Sequence, residues 1–205
     1  AISIMKNMLN KTTDRLNASG QFVTQMVKWG EDASLRAVTD KLTGVFNRRY
    51  LESELDKRFN KASQEGTSLT LVMADMDFFR EVNEGYSHEV GDQYIVEVAR
   101  VFTESFRKTD IVSRYGGDEF TILLPDTDLE TGMLVTEEVR KNVEKLDFLK
   151  NLEGPDLHLS VSLGLASYPV TASTLAELTE QADKALYAAK HNGRNRVEHA
   201  PLKQG

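Results

Sequence analysis

The sequence contains no cysteine. That excludes disulfides, thiolate zinc sites and cysteine nucleophiles. Histidine is scarce too: His88, His158, His191 and His199 are scattered, with no helical pair at ligand spacing. The metal chemistry left open is a hard-cation site built from Asp and Glu. No apolar run approaches the length of a membrane span, and no basic-then-apolar leader opens the chain. The chain begins at Ala1 without a methionine, so the expectation is a piece of a longer protein. What is present suits a globular protein: 205 residues, 40% hydrophobic and 28% charged, enough for one domain plus an appendage. Residues 1–39 carry a net charge of +2, so the −7 of the whole chain leaves −9 for the rest. Such a body should not bind a nucleic-acid backbone, but it can hold a single nucleotide if a cation and a few basic residues neutralise the phosphates.

The first 39 residues read as one long helix. Ile2, Met5, Leu9, Thr12, Leu16, Ser19, Val23 and Met26 fall at alternating spacings of three and four, a heptad seam. The expectation is a linker over residues 1–38, a coiled coil that pairs two copies; the alternative is a single amphipathic helix folded back on its own domain. A turn-forming boundary follows at Asp40-Lys41-Leu42-Thr43-Gly44. Asn47 is placed to cap a helix reaching about residue 61, closed by Gly66. Residues 69–76 form a buried-strand candidate that runs into Asp75-Met76-Asp77. Carboxylates ending an apolar strand either reach solvent or coordinate something, and Mg²⁺ takes one or two of them with water and phosphates. A short helix starts at Phe78-Phe79-Arg80-Glu81, its free N–H groups directed towards phosphate. A helix over residues 91–106 leads through Arg107-Lys108-Thr109-Asp110 to the centre of the chain. There, two β-prone runs are joined by Gly116-Gly117 and followed by Asp118-Glu119-Phe120. The pattern predicts a tight hairpin with Asp118 and Glu119 opening the returning strand and pointing to opposite faces, Asp118 sharing its face with Phe120. Helices over 128–146 and 174–191, a strand over 158–168 and a short edge strand at 196–198 complete an α+β fold, helices against a largely antiparallel sheet.

These residues resemble the GGDEF family, the diguanylate cyclases. The signature is literal at residues 116–120. Further matches occur in order: Asp40-Lys41-Leu42-Thr43-Gly44, Asn47-Arg48-Arg49, Asp75-Met76-Asp77-Phe78-Phe79, Asn83, His88, Gly91-Asp92, Ser162-Leu163-Gly164, Ala182-Asp183, and Lys190 with Gly193-Arg194-Asn195. The resemblance covers residues 37–199, with a domain at 39–199 and a tail at 200–205. It implies a palm-like nucleotidyl cyclase fold and the Mg²⁺-dependent condensation of two GTP into cyclic di-GMP and two pyrophosphates. It also implies a homodimer with one GTP per subunit, an upstream sensory domain, and work in the bacterial cytoplasm. Carried over by position, Asp75 and the Met76 carbonyl would bind Mg²⁺, with Mn²⁺ as an alternative. Asp118 would be the second carboxylate ligand and the base for the ribose 3′-hydroxyl, and Glu119 would support the metal. Arg80 and Phe79 would lie by the phosphates, Asn83 and Asp92 would read the guanine edge with His88 close by, and Lys190 and Arg194 would grip the terminal phosphates. Arg107 and Asp110 match the pattern of a site where cyclic di-GMP binds and inhibits.

The chemistry independently favours these residue types. A 3′-hydroxyl is a poor nucleophile and the α-phosphate repels it; metal ions acidify it, and cations take up the charge that develops. An Asp accepts from both guanine N1–H and N2–H, a donor pair that adenine lacks. Four positions depart from the family pattern: Arg80 for lysine, Glu84 for aspartate, Ser87 for glycine and Lys41 for proline. A receptor that binds GTP or cyclic di-GMP without turnover is the alternative to an active enzyme.

Overall fold

The computed structural model describes residues 35–203. Residues 35–38 are helical, while the heptad seam lies outside the described residues. From Thr39 on, the described residues form one compact unit. Asn47 ends a two-residue strand, β1 (Phe46–Asn47), and caps α1 (Arg48–Glu65) by accepting from Tyr50 N at 3.0 Å. Gly66 closes α1 at φ +68. There follow β2 (Leu69–Asp77), α2 (Phe79–Gly85), α3 (His88–Ser105), the hairpin strands β3 (Ile111–Gly116) and β4 (Glu119–Pro125), and α4 (Leu129–Glu144). Then come β5 (Ser160–Tyr168), α5 (Leu175–His191) and β6 (Val197–His199). Side-chain caps set three further helix starts: Ser87 for α3, Asp128 for α4 and Thr174 for α5.

The strands form one sheet in the order β1-β3-β4-β2-β5-β6. Its four inner strands pair antiparallel and its two short edges pair parallel. β2 lies inside, and alternation divides its side chains between two cores. Val72, Ala74 and Met76 meet α3 and α4 through Tyr94, Val98, Phe102 and Val139. Leu69 and Leu71 meet α1 and α5 through Leu51, Leu178 and Ala182. The odd-numbered face of β2 therefore runs from these leucines to Asp75 and Asp77 at the strand's end, on the side that α5 covers.

Two expectations are corrected. The third helix begins at His88, three residues before the expected start, because the Ser87 hydroxyl accepts from Val90 N at 3.3 Å and opens it earlier. The hairpin turn is Gly117-Asp118 rather than Gly116-Gly117. The β3–β4 register skips Tyr115, a bulge that moves Gly116 opposite Glu119. Asp118 is thus a turn residue and does not open the returning strand. Of the two glycines, only Gly117 takes a positive φ, +55.

Gly164 brings α5 down onto the sheet. A Cβ there would stand 1.9 Å from Leu186 N and 2.6 Å from the Ala182 carbonyl oxygen, both backbone atoms. Lys190 lies one turn beyond Leu186, so this close approach sets its height above β2. Gly164→Ala is expected to lower stability by about 3 kcal/mol, the upper end of ordinary overpacking, because backbone must move. Urea unfolding measures it; a loss below about 1 kcal/mol would contradict the close packing.

Candidate active site

The site grows from the end of β2. Asp75 is 9% exposed and stands directly opposite Glu119 of β4. The hairpin turn closes over the strand: Met76 N donates to the Asp118 carbonyl at 3.2 Å. Three carboxyl groups therefore gather at one strand end. Burial pushes the Asp75 carboxyl up to about 6; Lys190 pulls it down, and the charges of Asp118 and Glu119 add to the rise. Lys190, from the last turn of α5, places Nζ 2.7 Å from Asp75 Oδ2. A lysine ammonium thus stands against the most buried of the three acids.

Among the described residues, no three Asp, Glu or His side chains form a metal-holding group by themselves. The donor set nevertheless fits Mg²⁺, which needs one or two carboxylates and completes its shell with water, carbonyl and phosphate oxygens. Asp75 is repelled by its acidic neighbours and already neutralised by an ammonium, so its surroundings favour a cation.

The hairpin tip is braced from the start of the domain. Arg114 Nε donates to the Gly117 carbonyl at 2.9 Å, and its Nη1 lies 3.2 Å from Asp40 Oδ1. The same Asp40 oxygen accepts from Thr43 N at 3.0 Å and from its hydroxyl at 2.8 Å. Burial alone would raise the Asp40 pKa, but the bonds from Thr43 and Arg114 outweigh it and hold the carboxyl below its usual value. Asp40 to Gly44 thus forms a turn whose aspartate orients the arginine that grips the signature loop. The three-residue Asp–Thr spacing is a legible turn signal; the arginine partner is not.

Asp77 does not join Asp75 as an open carboxylate. It is 2% exposed and accepts from Ser160 Oγ, Ser162 Oγ and Asn195 N. Phe78, in the left-handed region at φ +57, swings the chain out of the sheet into α2, and the Arg194 guanidinium lies 5.0 Å from its ring centre. Asn83 packs on Gly91, where a Cβ would come 2.0 Å from its Oδ1. That contact brings Asn83, Phe79 and the exposed His88 and Asp92 to the α2–α3 corner. Arg80 is largely exposed, with Nε 2.7 Å from Glu84 Oε1. Two departures from the family pattern therefore pair with each other, and a third, Ser87, is the α3 cap.

Arg107 and Asp110 stand apart from this centre. Asp110 is 8% exposed and accepts from Arg107 Nη2 at 2.9 Å and from its backbone N at 2.8 Å. Arg107 Nη2 also reaches Thr127 Oγ1 at 2.6 Å and the Pro125 carbonyl at 3.1 Å.

Comparisons with known proteins agree with this architecture. Residues 37–196 match the family described as diguanylate cyclase, GGDEF domain. Diguanylate cyclase DosC of Escherichia coli K12 is 37% identical over 183 residues, 89% of this chain and 39% of its own length. Response regulator PleD of Caulobacter vibrioides is 34% identical over 161 residues, 78% of this chain and 36% of its own length. Among solved structures, the coiled coil and GGDEF domain of DgcB from Caulobacter crescentus, in complex with c-di-GMP, superposes with a TM-score of 0.82. It is 32% identical, over 91% of this chain and 97% of that one. The active GGEEF domain of a diguanylate cyclase from Vibrio cholerae gives 0.70 at 28% identity, over 78% and 98%. By fold, this is a mixed sheet flanked by helices of the kind seen in the solved GGDEF domains. The chain belongs to the diguanylate cyclase GGDEF-domain family. It spans less than two-fifths of the length of these two curated relatives.

The Asp75 carboxyl yields a pH test in metal-free buffer. Its folded pKa of about 6 lies above the 3.8 of a free aspartate, so the folded protein binds that proton more tightly. The resulting stability is present below the unfolded pKa and is lost as pH rises through the folded one. Asp75→Asn lacks this loss. The melting temperature of the variant minus that of the parent should therefore grow from pH 4 to pH 7, and added Mg²⁺ at pH 7 should raise only the parent. Parallel curves would contradict the buried charge.

Proposed function

We propose that this chain is the catalytic part of a diguanylate cyclase, condensing two GTP into cyclic di-GMP and two pyrophosphates. The observation that carries the reading is Asp75 buried at the end of β2, opposite Glu119 and beside the Asp118 turn, under a lysine. Asp75, Asp118, Glu119 and the Met76 carbonyl would hold Mg²⁺, or Mn²⁺ in its place. When bound, the metal supplies Lewis acidity for the 3′-hydroxyl and charge stabilisation at the leaving group.

The chain's own residues do the rest. Asp118 takes the proton as the ribose 3′-oxygen of one GTP forms its bond to the α-phosphorus of the other, and pyrophosphate departs. A second such event closes the ring. Each chain holds one GTP, so two chains must face each other; the upstream linker would bring them together, under a sensory domain, in the bacterial cytoplasm. Asn83 and Asp92 read guanine at the α2–α3 corner, with His88 beside them and Phe79 packed behind. Lys190 and Arg194, at the end of α5, hold the terminal phosphates, and Arg80 leaves Glu84 to join them. Among the described residues no helix is long and apolar enough to cross a membrane.

Cyclic di-GMP also binds at Arg107 and Asp110. Asp110 holds the arginine root, and a guanine Hoogsteen edge competes with the Thr127 and Pro125 oxygens for the guanidinium.

Incubation with Mg²⁺ and GTP, followed by mass analysis, should yield cyclic di-GMP, and ATP should yield no cyclic dinucleotide. Asp118→Asn should lower turnover at least about a hundredfold, within the range for loss of a general base, with an unchanged melting profile. GTP bound but unconverted would mark a receptor instead. Arg107→Ala should keep a linear rate as product accumulates, whereas slowing equal to the parent's would remove the inhibitory site.

A further inference from the structure

The chain leaving α5 follows a backbone path that needs restraint. Gly193, Arg194 and Asn195 have φ of +114, +60 and +45 in succession. Glycine takes such angles freely and asparagine tolerates them, but arginine is strained there. The restraints come from three directions. Arg194 N donates to the Ala189 carbonyl at 3.0 Å. Asn195 Nδ2 donates to Glu144 Oε1 at 2.6 Å, while its Oδ1 accepts from Arg140 Nη1 at 2.7 Å, so α4 holds the side chain from both ends. From the sheet, Asp77 Oδ2 accepts Asn195 N at 3.0 Å.

Asp77 suits that task. A carboxylate has two oxygens and no donor. Here Oδ2 takes Ser160 Oγ at 2.7 Å beside Asn195 N, and Oδ1 takes Ser162 Oγ at 2.7 Å. The carboxylate is thereby fixed to β5 before it fixes the arm. Two residues upstream in the same strand stands Asp75, the acidic centre of the site, and the next residue is Phe78, over whose ring Arg194 lies.

We propose that Asp77, through Asn195, is a positioning residue that clamps residues 193–195 in their strained path and so sets the reach of Arg194 to the terminal phosphates of GTP. The inference rests on the reading of Arg194 as a phosphate ligand. Asp77 touches neither metal nor substrate in it; the aspartate acts through the arm.

The test compares binding of GMP and of a GTP analogue with a methylene bridge between its α- and β-phosphates, on the full chain with Mg²⁺. Arg194→Ala should cut the preference for the triphosphate about tenfold, as loss of a charge-assisted contact does. Asp77→Ala should cut it comparably while leaving GMP affinity unchanged, and adding Arg194→Ala to it should cost nothing more. Asp77→Asn should restore the preference: its carbonyl oxygen can face Asn195 N and Ser160, and its amide can donate to the Ser162 hydroxyl, which rotates to accept. Should Asp77→Ala fail to fold, the triple variant Asp77→Ala, Ser160→Ala, Ser162→Ala decides. It removes the hydroxyls that would be left without an acceptor, still lacks the acceptor for Asn195 N, and should reduce the preference in the same direction.

A parental preference in folded Asp77→Ala, or in the folded triple variant, with a loss in Arg194→Ala, overturns the clamp alone. Equal weakening of GMP and triphosphate shows a general structural role and overturns it too. A parental preference in Arg194→Ala overturns the phosphate assignment, and the clamp with it.

Discussion

A strand driven through the middle of a two-sided core and ended in carboxylates must find partners for them. β2 does this with Asp75 and Asp77, and much of the site follows from how each is satisfied. Asp75 is left with too much negative charge around it and takes a lysine from α5. Asp77 is surrounded by donors from β5 and the arm after α5. Burial makes both arrangements obligatory, since an unpartnered carboxylate in such a place is costly. One acid faces a lysine, and the other takes three donors from β5 and the arm.

The helices reach these acids because the backbone lets them. Without Gly164, α5 would stand too high for its last turn to meet the strand end. Without Gly91, Asn83 would not seat against α3, and the corner assigned to guanine would open. The signature turn is held by Arg114, which is held in turn by Asp40 at the domain's first turn. The path from the beginning of the domain to the loop bearing Asp118 is therefore two side chains long.

Local chemistry was the legible part of the sequence. Asn47, Asp128 and Thr174 announce their helices because a cap is a contact between near neighbours. β2 announces itself by apolar content, and the family resemblance places its acids. Ser87 is the same kind of signal, and it sets the start of α3 three residues before the apolar stripe suggests. The position of the turn was not legible, since a bulge at Tyr115 depends on how two strands settle against each other and shifts Asp118 from strand to turn. Nor were the pairs that join distant parts of the chain: Lys190 with Asp75, Arg114 with Asp40, Asn195 with Asp77. Spacing along a chain carries no information about such pairs, and it made Asp75 and Asp77 look alike when their surroundings differ completely.

The central claim is that the acid ending the inner strand and the acid of the signature turn share one divalent ion, for which the lysine is a placeholder. Anomalous diffraction from crystals grown with Mn²⁺ and a non-cleavable GTP analogue tests it directly. The account predicts a manganese peak at bonding distance from oxygens of both Asp75 and Asp118, with the Lys190 ammonium moved from Asp75 to phosphate. A peak elsewhere, or a lysine still seated on Asp75, would contradict it.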